Sequence, residues 1–157
     1  MTATPLTSAE TTHRNLLSLH RYWIYADKMK RLFFKELMSV DLKKITHAEV
    51  FLTDYCVYMF YWYGALYVVI EGYQELPISD AEIDRLLSDN RIYLLRRFRN
   101  GTFHYQPDYF SVKLLDFATS QGSATWAQSL HERLGAVLLA RLTAAGAGVA
   151  AERLTEK

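Results

Sequence analysis

The chain has 157 residues, 18 of them basic and 17 acidic, for a formal net charge of +1. That is the size of one folding unit, and the total charge offers no attraction to a polyanion. Half of the residues are hydrophobic and 14% aromatic, which excludes disorder over most of the length. Seven Gly and three Pro are too few for many short strands and tight turns. The expected fold is therefore all-α: a single-domain up-and-down helical bundle over 1–157, with frayed ends at about 1–8 and 145–157.

The first ten residues are rich in Thr and Ser and lack an apolar core, so no secretory leader is expected. From about Ser8 to Val40, Leu16, Leu19, Trp23, Ala26, Met29, Phe33 and Leu37 recur at helical spacing. Another face carries Arg14, Arg21, Lys28 and Lys35 every seven residues, with Arg31 close by, making a basic ridge. A polar break at Asp41 to Thr46 precedes a second long helix, expected from about His47 to Gln74 and apolar enough for the centre of the bundle. Its uncharged stretch, Tyr55 to Ile70, is shorter than the roughly 20 residues a bilayer needs and contains five Tyr. A buried helix is expected there, and no membrane partner.

Pro77 ends that stretch, and Ser79 with Glu82 has the spacing of a capping box, with Ile78 and Ile83 as its hydrophobic staple. A short helix should follow, to about Leu87. Ser88, Asp89 and Asn90 interrupt it and open the next helix, whose core side is Ile92, Leu95 and Phe98. Pro107 disfavours helical backbone at Gln106, so this helix stops at or before Tyr105. Asp108 is expected to cap another short helix bearing Phe110, Leu114 and Phe117, ending near Gln121 and Gly122. Ser123 then opens the last long helix, with Trp126, Leu130, Leu134, Val137 and Leu138 on one side and an Ala/Gly run from Ala144 to Ala151.

Cys56 is the only cysteine, which excludes an internal disulfide framework and any zinc site built on several thiolates, and fits a reducing cytoplasm. Glu10 and His13 form one Glu-x-x-His pair without a second, whereas a di-iron bundle needs two such pairs and further Glu. No metal or cofactor is implied. There is no Gly-rich phosphate loop and no Ser or Cys nucleophile motif.

The segment Arg91 to Tyr105, RIYLLRRFRNGTFHY, holds four Arg and one His with no acid. Arg99, Asn100 and His104 there supply a fixed cation, an amide that donates and accepts, and a side chain of the type that exchanges protons near neutrality. These are phosphodiester-handling groups. On a continuous helix Asn100 and His104 share a face, but Arg99 lies about 140° from His104. Convergence therefore requires Gly101 to loosen the turn or a second subunit to close the site. Two other pairs, Arg14 with His20 and Arg97 with His104, have similar spacings. Arg99 is preferred because it ends a basic helix at an irregular junction, where a cleft can form. His13, His20, His47 and His131 are read as structural or surface residues.

The string RNGTFH, at the end of the third major helix and followed by an aromatic residue and a Pro, resembles the HEPN superfamily. The hallmark of that family is an Arg, often a polar residue next, and a His after four to six residues. Arg99, Asn100 and His104 occupy those positions, and the likeness in helix order covers about His13 to Leu139. The resemblance implies a metal-independent endoribonuclease working as a homodimer with one composite cleft, in a family where many members are toxins or phage-defence effectors, with an antitoxin or another protein as a further partner. It equally accommodates a non-catalytic RNA- or nucleotide-binding or dimerisation adaptor. Under the first reading Arg99, Asn100 and His104 are catalytic. Arg96 and Arg97, together with the ridge of Arg14, Arg21 and Lys28, then contact the RNA backbone.

Overall fold

The computed structural model describes residues 7–41, 44–46 and 49–155, with side chains through Ala151. Among the described residues there are six α-helices and no strand: α1 Ser8–Ser39, α2 Asp54–Glu75, α3 Ala81–Leu87, α4 Arg91–Phe103, α5 Val112–Ala118 and α6 Ser123–Thr155. The protein is an all-α helical bundle. α1 packs along both α2 and α6, α4 lies against α2, α5 covers α4, and α3 rests on α6.

The apolar stripes read from the sequence form the core. α1 buries Leu16, Leu19, Ala26 and Phe33. α2 buries nine residues, all but Tyr73 within its uncharged stretch, among them Trp62, Leu66, Val69 and Ile70. Leu95 and Phe98 of α4, and Leu130, Leu134 and Leu138 of α6, are fully inaccessible. Each such side chain is worth roughly 1.5–3 kcal/mol of transfer free energy, and this burial holds the short helices in place. At the α1–α6 crossing Trp23 lies directly on Gly135, where an added Cβ would come 2.4 Å from the indole. A residue without a side chain is what allows the two helices this approach.

Several boundaries differ from expectation. The expected start of α2 at His47 lies outside the described residues, and the helix itself begins only at Asp54. A 3-10 turn, Val50–Leu52, precedes it, and Phe51 in that turn packs on Phe60, Tyr109 and Phe110. This aromatic packing keeps the segment off the helix axis. The cap of α3 is Asp80, not Ser79: its carboxylate accepts the backbone N–H groups of Glu82 and Ile83 and binds Arg133 of α6 at 2.6 Å. Arg133 holds the Asp80 carboxyl down at about 2. With the cap moved by one residue, Ile78 and Ile83 no longer have staple spacing, although Ile83 is buried and Ile78 packs against the core. A capping box does form at Thr7 and Glu10 of α1. Asp108 accepts the Phe110 N–H in a tight turn, so α5 starts later, after Ser111. Finally, α6 continues as helix through the Ala/Gly run to Thr155.

Candidate functional site

α4 carries the basic segment, and its surroundings supply the acids that the segment lacks. Leu95 and Phe98 face the core, so the four Arg residues of α4 project from the rest of the helix surface. Arg91 is chelated by Asp89 at 2.7 Å and also donates to the Gly122 carbonyl. Arg97 pairs with Asp116 of α5 at 2.5 Å and lies 5.9 Å from the Tyr93 ring centre. Arg99 pairs through Nη2 with Glu71 of α2 and sits 5.0 Å over the Tyr67 ring. Among the described residues, Arg96 is the one Arg of α4 outside any ion pair, and it is exposed. The acid-free segment is therefore largely neutralised by its own fold, and the expected local anion site narrows to Arg96 and to whatever Arg99 can still donate. The Nε of Arg99 is buried and has no partner among the described residues.

His104 is the residue that ends α4. Its backbone is extended, its N–H bonds back to the Asn100 carbonyl at 3.1 Å, and its own carbonyl accepts from Gln106 Nε2 at 2.7 Å. The peptide unit is thus pinned on both sides. The imidazole is exposed and makes no hydrogen bond among the described residues. It lines a groove of about 360 Å³ together with Phe51, Gln106, Asp108 and Tyr109. Asn100 is half-buried one turn earlier.

The three residues do not converge within one chain. α4 runs unbroken through Gly101, which keeps a negative φ; Gly122 is the one glycine of positive φ among the described residues. Gly101 does not loosen the turn. It is buried where Leu114 of α5 crosses, and an added Cβ would lie 2.8 Å from that side chain. Arg99 consequently stays on the α2 side of the helix beside Glu71, while His104 faces the groove, whose lining includes neither Arg99 nor Asn100. Of the two routes to a converged site, only completion by a second copy remains.

The ridge on α1 is exposed, as its spacing suggests. Arg14, Lys28 and Lys35 make no ion pair among the described residues, Arg31 pairs with Asp27 at 3.0 Å, and Arg21 lies over Tyr22. Cys56 is buried, and burial pushes its thiol up to about 11, which removes it as a nucleophile. No cluster of three or more metal-binding side chains occurs among the described residues. One helix, the Ser123–Ala151 part of α6, is long and apolar enough by length and composition to cross a membrane. Core residues, however, run along it from Trp126 to Leu142.

A second histidine stands out by its environment. His131 is completely buried on α6, with Trp62 Nε1 donating to its Nδ1 and its Nε2 facing Asp27 Oδ1, both at 3.3 Å. Trp23 stacks on the ring and donates to the His131 carbonyl at 2.9 Å. Because Nδ1 must accept from Trp62, the neutral ring carries its proton on Nε2 and donates it to Asp27. Burial, aided by Lys30, pushes His131 down to about 4 against the pull of Asp27. The reading of His131 as structural fits this position, and the signal was available: it lies on the stripe of Ala127, Leu134 and Leu138.

Comparison with models of known families, with curated proteins and with solved structures finds no match for this chain. The likeness to HEPN proteins thus rests on the Arg99–Asn100–His104 spacing and the order of the helices.

Proposed function

We propose that the chain is a metal-independent endoribonuclease of HEPN type, acting in the cytoplasm as a homodimer whose two α4 ends form one site. The observation that carries this reading is His104 at the end of an Arg-bearing helix, its backbone N–H and carbonyl both hydrogen-bonded and its imidazole solvent-exposed with no hydrogen bond among the described residues. In RNA the 2′-hydroxyl attacks the adjacent phosphorus while a base removes its proton. The P–O5′ bond breaks as an acid protonates the leaving oxygen, yielding a 2′,3′-cyclic phosphate and a 5′-OH. One imidazole cannot be base and acid in the same turnover step, so the two His104 side chains of a dimer divide these tasks.

Arg99 serves the phosphate. Its Nη2 is occupied by Glu71 and its Nε is buried without a partner among the described residues, so the guanidinium must turn away from Glu71 to meet a phosphate. Asn100 orients, and Arg96 contacts the RNA backbone. Arg97, bound to Asp116, must release that carboxylate to do the same. One observation favours a second reading, a non-catalytic RNA- or nucleotide-binding adaptor: Glu71 neutralises the very cation that a cleaving site needs.

Incubating the protein with total RNA in excess chelator tests the proposal. Cyclic phosphate ends that disappear with His104→Ala support it; intact RNA leaves the adaptor. Titrating an Arg99→Ala, His104→Ala double variant into wild type tests the shared site. Loss of activity in excess of dilution, after verified subunit exchange, is expected. Activity that follows the wild-type subunits would show independent sites.

A further inference from the structure

Between Phe103 and Phe110 the chain leaves four large aromatic side chains partly or wholly exposed: Phe103, Tyr109 and Phe110 are a little under half exposed and Tyr105 is 90% exposed. Aromatic rings are the side chains with most to gain from burial, so this concentration on one short segment is costly unless something covers it. The rings are also braced. Phe51 contacts Tyr109 at 5.3 Å and Phe110 at 5.7 Å between centroids, Tyr109 meets Phe110 edge-on at 5.0 Å, and Phe51 in turn rests on Phe60 at 5.5 Å. Through Phe60, which packs on the buried Phe98, the cluster is tied to the core.

Phe51, Phe60, Phe103, Tyr105 and Tyr109 wall the groove beside His104, and Phe110 braces Tyr109 from outside it. We propose that this groove binds the base of an unpaired ribonucleotide, stacked against Tyr109 and Phe51, with its phosphate outside at His104. The inference rests on the RNA-directed reading above. Three features select a base over other occupants. The volume of about 360 Å³ lies at the low end for small-molecule pockets, suited to one planar group with its sugar. The lining contains a carboxylate, Asp108, and no Lys or Arg, so a phosphate or an acidic side chain is repelled from the interior. The same lining offers the amide oxygen of Gln106 and the second carboxylate oxygen of Asp108 as acceptors for a base edge. A flat apolar face with a polar edge is the shape of a nucleobase, and stacking of this kind tolerates any sequence.

The test is binding of a single-stranded 2′-O-methyl RNA dodecamer, which has no 2′-hydroxyl to react, measured by fluorescence anisotropy on the full chain. An abasic strand of the same length and charge should bind roughly 5- to 100-fold more weakly, and Tyr109→Ala should reduce affinity for the normal strand by a similar factor, with Tyr109→Phe restoring it. The abasic comparison needs no substitution, so it decides the matter even if Tyr109→Ala misfolds. Equal affinity for the two strands would overturn the groove. Base-dependent binding without cleavage of ordinary RNA keeps the groove and removes the catalytic assignment, whereas cleavage with base-independent binding removes the groove alone. Absence of any RNA binding removes both.

Discussion

His131 and His104 show what one residue type becomes in two parts of the same bundle. His131 is enclosed by α1, α2 and α6, has both ring nitrogens engaged, and is held neutral by burial. His104 stands at the end of α4 with its backbone hydrogen-bonded and its ring exposed, making no hydrogen bond among the described residues. The core environment satisfies the imidazole and thereby removes it from chemistry. The helix end leaves it unsatisfied and therefore available, at little cost because water solvates it. An imidazole that is to exchange protons with a ligand needs the second environment, and one that contributes to stability needs the first.

The largest expected effect separates the two roles. His104→Ala should lower RNA cleavage by roughly 10² to 10⁴ in rate while leaving the thermal transition within a degree or two, because a proton-transfer group is lost and almost no packing. His20→Ala, which removes a ring stacked at 5.7 Å on Trp23 outside the site, should leave the rate unchanged. Equal cleavage by wild type and His104→Ala would end the contrast. His131→Ala should behave in the opposite way, destabilising the fold by about 2–4 kcal/mol through a cavity and an unsatisfied Trp62 N–H. Chemical denaturation measures it.

Acid sharpens the same comparison. The unfolded chain protonates His131 near the ordinary value of 6.5, whereas the folded chain resists until about 4. Between these values the unfolded state binds more protons, so stability falls as pH drops from 6.5 and levels off near 4, a loss of about 3 kcal/mol from this residue. Urea titrations at neutral pH and near pH 4.5, set beside those of His131→Gln, should show a smaller acid loss in the variant. An identical acid loss in both proteins would mean that the ring is not held neutral by its site.

The smallest expected effect lies at the border between the two regions. Glu71→Gln releases Arg99 from its ion pair, and RNA affinity should rise a few-fold, most visibly at low salt. Unchanged affinity would indicate that Arg99 does not reach the ligand.

Helical periodicity was legible because it is local. The stripes on α1, α2, α4 and α6 were assigned to the core and are buried there, and α4 ended where Pro107 and its neighbours demanded. The caps were less legible. Ser79 and Asp80 are both good cap residues, and what separates them is Arg133, which reaches Asp80 from α6. The late start of α2 has a similar origin, since Phe51 is claimed by rings that lie more than fifty residues further along the chain.

At the candidate site the division is sharper. Arg99, Asn100 and His104 stood out through residue type and spacing, and their placement at the end of a helix followed from the pattern of Gly and Pro. The fold decided the charge state of the segment, because Glu71 and Asp116 are invisible as partners until α2 and α5 pack against α4. It also decided that Gly101 serves the crossing of α5 and not a bend.

By itself the sequence determined the elements: which segments are helical and which faces are apolar, since periodicity and hydrophobicity act over a few turns. Only the tertiary structure decided which charges cancel, which histidine is sealed and which is open, and how the aromatic residues of one loop meet Phe51. Ion pairing, desolvation and ring packing all depend on which distant residues come within a few ångströms, and no local pattern encodes that distance.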